Sequence, residues 1–357
     1  MRLRHTLPAL IVTAALASSA AADDREVKLY QLPRGTGPFA VHPDSRTVAF
    51  YNRGIYLLDL ETEKGGSILC RDASYSGGQF TPDGKNLFLV GVEGCVIRAV
   101  DAPERAIFQP DPIGLGAFAR ISPDGRRVFT YTQYGDVIVW DVPTNKRIKT
   151  LVGTADPVTG LATTSDGQRL LVATPEDLSG WDLTTWKRLY TKKRPFGTVP
   201  PPTPGATTIL FPPKGRRAFC VSSTKIGDDE PADNHDGLSF SALDADTGTC
   251  RLLARGSQFL KRYRAAVLSA DGKYAFLGRD GGTSVHAIDT ATGKEVATYL
   301  PAQLAVWNLA PTPDGKHLLI GDGRTKLLRV PIPVVLEAKP ISTYEEFKQE
   351  AQKPAKP

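Results

Sequence analysis

Five histidines, four cysteines and a run of acids between 228 and 236 are the residues of this chain best equipped for chemistry. Four histidines lie beyond residue 22, namely His42, His235, His286 and His317, and none stands at metal-ligand spacing from a second histidine or cysteine. A Ser-His-Asp set would have to be assembled in space from loops distant in sequence, which residue order alone neither supports nor excludes. No glycine-rich phosphate loop follows a strand and opens a helix, and clusters such as Asp280-Gly281-Gly282 fit hairpin turns. The acids Asp228, Asp229 and Glu230, with Asp233 and Asp236 around Asn234-His235, offer carboxylate oxygens to a hard cation such as calcium. Their spacing departs from the EF-hand pattern, so a solvated loop is the stronger reading and no metal or cofactor is assigned.

What must position these residues is a repeat. Alternating apolar runs meet a tight polar turn seven times: His42-Pro43-Asp44-Ser45, Thr81-Pro82-Asp83-Gly84, Ser122-Pro123-Asp124-Gly125, Ser165-Asp166-Gly167, Pro213-Lys214-Gly215, Ala270-Asp271-Gly272 and Thr312-Pro313-Asp314-Gly315. Successive turns are 39, 41, 42, 48, 57 and 43 residues apart. Proline pre-sets φ in such a turn and glycine takes its end, so each marks a reversal between two short strands. A hairpin recurring at this interval is the mark of a propeller. Runs such as Leu87-Phe88-Leu89-Val90 and Val137-Ile138-Val139-Trp140 are continuously apolar, as strands covered on both faces are. A four-stranded sheet cannot cover both its own faces, whereas sheets stacked around an axis cover one another.

Fifteen to eighteen residues after the turn, most repeats end a second apolar run on an aspartate: Asp59, Asp101, Asp141, Asp182 and Asp289, with Asp244 delayed by an insertion. Two repeats carry Trp140-Asp141 and Trp181-Asp182, and turns such as Pro143-Thr144-Asn145-Lys146 and Ala291-Thr292-Gly293-Lys294 follow. In these features nearly the whole chain after residue 22 resembles the WD40-repeat family. The chain departs from that pattern in lacking the Gly-His dipeptide that usually opens a repeat, and with it the family's His-Asp hydrogen-bond network. The resemblance implies an all-β, seven-bladed β-propeller over residues 23–336. It also implies a non-catalytic module that binds another protein.

The two ends predict how the ring closes. The last repeat supplies three strands up to Val330 and then meets Pro331, while Glu26 to Leu32 reads as a strand before Gly37-Pro38. The N-terminal strand is therefore expected to complete the last blade. Residues 337–357 read as a tail in which Ser342-Glu345 or Thr343-Glu346 forms a capping box, predicting one short helix over 342–350.

Residues 1–22 read as a signal peptide. Arg2, Arg4 and His5 form a basic start, Leu7 to Leu16 an apolar stretch too short to span a bilayer, and Ala20-Ala21-Ala22 a small-residue cleavage site. An uncleaved anchor is the alternative. The expected product is periplasmic or extracellular and monomeric, with no membrane span. Arg2 and Arg4 account for two units of the formal charge of +6, so the remainder is only weakly basic. Lys261-Arg262-Tyr263-Arg264 could suit an acidic or phosphate-bearing polymer, but an exposed loop is the simpler reading and no nucleic-acid partner is expected.

Four cysteines in an exported chain invite pairing, and three connectivities exist. Cys220 and Cys250 fall on the second and fourth strands of the fifth blade. Two strand spacings are about 9.6 Å, beyond the roughly 7 Å a disulfide bridges. Cys70 and Cys95 lie on neighbouring blades, and Cys220 reads as a small buried side chain.

The period breaks twice. The connector 192–205 carries five prolines after a basic triplet and includes Arg194 and Phe196, and the fifth hairpin expands over Ser223 to Gly237. Both insertions emerge opposite the Pro-Asp-Gly turns. The predicted partner surface is therefore Arg194, Phe196, the Asp228 to Asp236 acids, Arg262 and Tyr263. The second functional class kept open is an exported propeller enzyme, lactonase-like or a quinoprotein-like dehydrogenase, for which polar groups should converge at the central channel.

Overall fold

Seven four-stranded sheets make up the computed structural model of the chain, and they define a closed seven-bladed β-propeller. It describes residues 25–341 except 33–38, 52–54, 69–74, 92–93, 103, 111–118, 133–134, 154–155, 194–206, 226–235, 256–262, 280–281 and 302–303; beyond 341 it describes Glu346 and Gln349. Six blades use four consecutive strands each, inner to outer. The second and third strands carry most of the burial, as their apolar runs require: in Asn86–Gly91 every residue after the first is buried, and in Asp177–Asp182 every residue before the last.

The seventh blade is shared by the two ends of the chain. Lys28–Gln31 pairs antiparallel with Lys326–Pro331, with Lys28 opposite Arg329 and Gln31 opposite Lys326. Tyr30, 2% exposed, packs with Leu319 and Leu327 of this blade and with Val48, Phe50, Leu58 and Leu60 of the first. Its hydroxyl donates to the Leu60 carbonyl at 2.8 Å.

The turn chemistry explains why the repeat survives in sequence. In five of the turns a serine or threonine hydroxyl donates to the aspartate two residues on, as Thr81 does to Asp83 at 2.6 Å and Thr312 to Asp314 at 2.5 Å. The same carboxylate oxygen accepts a backbone amide two residues further on, Lys85 N–H in the case of Asp83. The closing glycine takes a left-handed conformation, φ 71° at Gly84, where an added Cβ would also strike the His42 imidazole. Thus each turn is held by one hydroxyl, one carboxylate and one glycine within four residues.

The aspartates ending the third strands cap the next turn. Asp59, Asp182, Asp244 and Asp289 accept backbone amides two or three residues ahead, for example Thr184 N–H and Thr185 N–H on Asp182 at 2.8 and 2.7 Å. Blade 2 corrects the sequence reading. Asn86 pairs with Ala99, so alanine occupies the slot and Asp101 stands two residues beyond it. No Gly-His pair holds blade 3; Asp136 accepts the Gly153 amide at 2.9 Å and Trp140 Nε1 donates to Thr130 at 2.9 Å.

These turn carboxylates predict an acid limit to stability. The Arg46 side chain on Asp59, the Thr81 hydroxyl on Asp83, the Thr185 amide on Asp182 and the Thr292 hydroxyl on Asp289 all hold their partners below the ordinary aspartate range. A depressed folded-state pKa contributes stability that is complete above the unfolded value, about 4, and is withdrawn as pH falls toward the folded one. The urea midpoint is expected to stay level from pH 7 to 5 and to drop between pH 4 and 3. An unchanged midpoint at pH 3 would refute this account.

Two further expectations meet the structure here. A helix does follow the last blade, but at Ile332–Leu336, where Pro333 sits in the first turn and costs no hydrogen bond. Ile332 and Val335 bury against Ala297 and Leu304 of the blade 6 region. Of the segment predicted helical over 342–350, the two described residues, Glu346 and Gln349, are helical. Cys95, Cys220 and Cys250 are free thiols, with Ser241 of the intervening strand opposite Cys220, and burial pushes the Cys95 thiol up to about 12. Cys70 lies outside the described residues.

Candidate functional site

On the rim opposite the Pro-Asp-Gly turns, the blade 5 hairpin stands out. Its second and third strands, Arg217–Lys225 and Asp236–Asp244, run nine residues each, against five or six in the other blades. The expected loop over Ser223 to Gly237 is therefore shorter than its sequence suggests. Ser223 pairs with Leu238, Thr224 with Gly237 and Lys225 with Asp236. Serine and threonine continue a ladder readily, and three extra pairs carry the hairpin about 10 Å beyond a five- or six-residue blade strand. Asp236 is thus a strand residue. Arg194, Phe196, Asp228, Asp229, Glu230, Asp233 and Arg262 lie outside the described residues.

Tyr263 has a structural task. Its hydroxyl bonds the Val221 carbonyl at 2.8 Å and Thr208 Oγ1 at 3.0 Å, joining blades 5 and 6, and burial raises its phenol pKa. The next residue, Arg264, is exposed and lays its guanidinium 4.1 Å from the ring centroid of Trp307, itself 40% exposed. The pair stands where the inner strands of blades 6 and 7 open onto the rim. Sequence reasoning missed Trp307, although tryptophan is seldom left in solvent and a lone one before a strand is a signal.

The opposite face holds a cleft of about 500 Å³ between blades 3 and 4, lined by Pro123, Asp124, Arg127, Asp166, Leu183 and Trp186. Two departures from the repeat meet there. In blade 4, Arg169 bridges its own blade's Asp182 at 2.7 Å and Asp246 of blade 5 at 2.8 Å, whereas the equivalent Arg127 meets the neighbouring blade through a backbone carbonyl and a ring, donating to the Leu183 carbonyl at 3.2 Å and lying 5.0 Å from the Trp186 ring. Trp186 occupies a left-handed turn position, φ 61°, that Asn145, Gly248 and Gly293 fill in blades 3, 5 and 6. That conformation costs a bulky residue about 1–2 kcal/mol, of which the stacked guanidinium returns about 0.5–1.

A serine, a histidine and a carboxylate do come together in blade 6. Ser284 Oγ lies 3.0 Å from His286 Nε2, and His286 Nδ1 2.7 Å from Glu295 Oε1. Ser284 and His286 are both 0% exposed, so no substrate reaches this hydroxyl. The set continues outward instead: the Thr298 hydroxyl donates to Glu295 at 2.5 Å and accepts the Ile341 amide at 3.0 Å. It fastens the segment after the last blade to the outer strand of blade 6. Among the described residues no group of histidines, cysteines and carboxylates could hold a metal ion, and no helix is long and apolar enough to cross a membrane.

Fold and repeat chemistry together define a seven-bladed β-propeller. Over 153 residues the chain is 26% identical to WD repeat-containing protein 82 of Drosophila melanogaster; the match covers 36% of this chain and 48% of that protein, about half its length. Among solved structures, the β-propeller domain of Cps50 (Swd1) from Myceliophteria thermophila is similar with a TM-score of 0.67 at 13% identity, covering 83% of this chain and 97% of that one. A chain of the hydrazine synthase of Kuenenia stuttgartiensis gives 0.65 at 14% identity, covering 89% and 99%. At such identities the structural likeness speaks for the fold alone. No family model matches the chain.

Proposed function

We propose that this protein is an exported interaction scaffold that holds a partner protein on the rim opposite the Pro-Asp-Gly turns. The observation that carries this reading is the lengthened blade 5 hairpin, whose strands stay paired as far as Lys225 and Asp236, the residues that flank the acidic run in the sequence. Irregular segments on a rigid scaffold are the usual carriers of recognition. Arg264 and Trp307 add an exposed cation and aromatic on the same rim, the residue types that anchor interfaces. The similarity to a WD-repeat protein supports the binding class, and the basic-then-apolar composition of residues 1–22 supports export.

Replacing residues 226–235 by Asn-Gly tests the reading, since the Lys225–Asp236 pair is then closed by a two-residue hairpin turn. Stability is expected to stay within about 1 kcal/mol, because loop length costs little entropy. Crosslinked capture is run on exported protein, whose N-terminus is expected at Asp23. Partners held by the parent chain should be lost by the shortened one and weakened at least tenfold by Trp307→Ala. Undiminished capture by a chain carrying both changes would reject the rim.

A further inference from the structure

The inner strands of the seven blades carry a chemical asymmetry. Strand register puts one residue of each at a common depth, opposite the third residue of the second strand: Ala40, Gln79, Arg120, Ala162, Leu210, Val267 and Ala310. Five of the seven are apolar. The two exceptions, Gln79 and Arg120, stand on adjacent blades, and both are exposed although their strand neighbours Phe80, Ala119 and Ile121 are buried. An exposed side chain on an innermost strand opens onto the central channel.

Among the described residues Arg120 meets no countercharge there. Its Nε donates to the Leu161 carbonyl of blade 4 at 3.1 Å and its Nη1 to the Ala119 carbonyl at 3.2 Å. Among the described residues the inner strands hold two arginines, Arg120 and Arg264, and no carboxylate. Although Arg120 reaches solvent in the channel, its burial among the surrounding strands pushes its pKa down, whereas Asp59 raises that of Arg46 and Asp166 that of Arg216. A guanidinium enclosed by protein without an acid favours an anion, and its planar fork fits a carboxylate in two places.

The far wall is of the opposite character. Blades 5 to 7 form an apolar cleft of about 530 Å³ whose walls include Leu210, Phe211, Val267, Leu268 and Pro311. Leu210 and Val267 belong to the same layer as Arg120. We propose that the central channel binds a small organic carboxylate, with its head on Arg120 and Gln79 and its apolar body against blades 5 to 7. This site is independent of the rim and of any protein partner.

Octanoate is the probe, titrated against the whole protein at fixed ionic strength with the melting temperature as readout. A ligand of the folded state alone raises that temperature as its concentration passes the dissociation constant. The expected result is a saturable rise with octanoate, at least about tenfold weaker affinity for the uncharged isostere octanamide, and no saturable rise with inorganic phosphate. Arg120→Gln should lower octanoate affinity at least about tenfold while keeping the near-UV spectrum, because it strands no partner acid. Arg126→Gln, on an exposed turn away from the channel, should bind as the parent does. Equal binding of octanoate and octanamide, equal stabilisation by phosphate, or parental affinity in Arg120→Gln would each overturn the proposal.

Discussion

A chain lacking residues 23–32 is expected to lose most of its stability and to associate. The deletion removes Lys28–Gln31 from the seventh blade, and with it every backbone bond that the strand Lys326–Pro331 makes on its outer side. It also extracts Tyr30 from six buried residues spanning blades 7 and 1, together with its bond to the Leu60 carbonyl. Emptying one buried aromatic site costs about 3–5 kcal/mol, a third or more of the 5–15 kcal/mol that holds a typical domain together. The uncovered strand then offers unpaired amides and carbonyls to a second molecule. Tyr30→Ala isolates the packing part and should cost about 3 kcal/mol without exposing the edge. Urea titration and light scattering read the two effects separately. A truncated protein that stays monomeric with the parental midpoint would mean that the ring is held shut elsewhere.

The second large effect is expected at His286. Leucine in its place removes the centre of the line: Ser284 Oγ, fully buried, loses its partner with no bulk water to replace it, and the partly exposed Glu295 loses one partner while keeping the Thr298 hydroxyl. Leaving buried polar groups unpaired costs about 1–3 kcal/mol each, so a loss of about 2–4 kcal/mol is expected. Thr298→Val cuts the same line further out and should cost less. It frees the Ile341 amide, whose hydrogen exchange should accelerate while that of the inner strands does not. Parental stability in His286→Leu would show that the line carries no energy.

How much of this was legible beforehand depended on whether the cause was local. The Ser/Thr-Pro-Asp-Gly turns could be read because hydroxyl, carboxylate and left-handed glycine all act within four residues. The closing strand could be read because the last repeat ran out of chain at Pro331, a deficit visible by counting. The register of blade 2 could not. Asp101 follows its apolar run as its counterparts do, and only the pairing of Asn86 with Ala99 reveals the two-residue offset. The helix at Ile332–Leu336 was hidden by prolines that read as breaks although a first helical turn accepts them.

For the site the boundary is the same. The unequal repeat lengths pointed to blade 5, since an insertion is a property of the sequence itself. The same inspection could not foresee that Ser223–Lys225 would extend the ladder, or that Tyr263 would turn inward between two blades while Arg264 stacked on Trp307. Period by itself determined the number of blades and the turn type, which follow from interactions within one repeat, and a count of strands in the last repeat pointed to closure by the N-terminal strand, a pairing that joins the two ends of the chain. Only the tertiary structure decided which side chains share a neighbourhood: Ser284 with His286 and Glu295 inside blade 6, Arg127 with Trp186 across two blades, and Arg120 with the Leu161 carbonyl between two inner strands. The meetings between blades depend on strand register and ring curvature, which set residues of neighbouring repeats side by side.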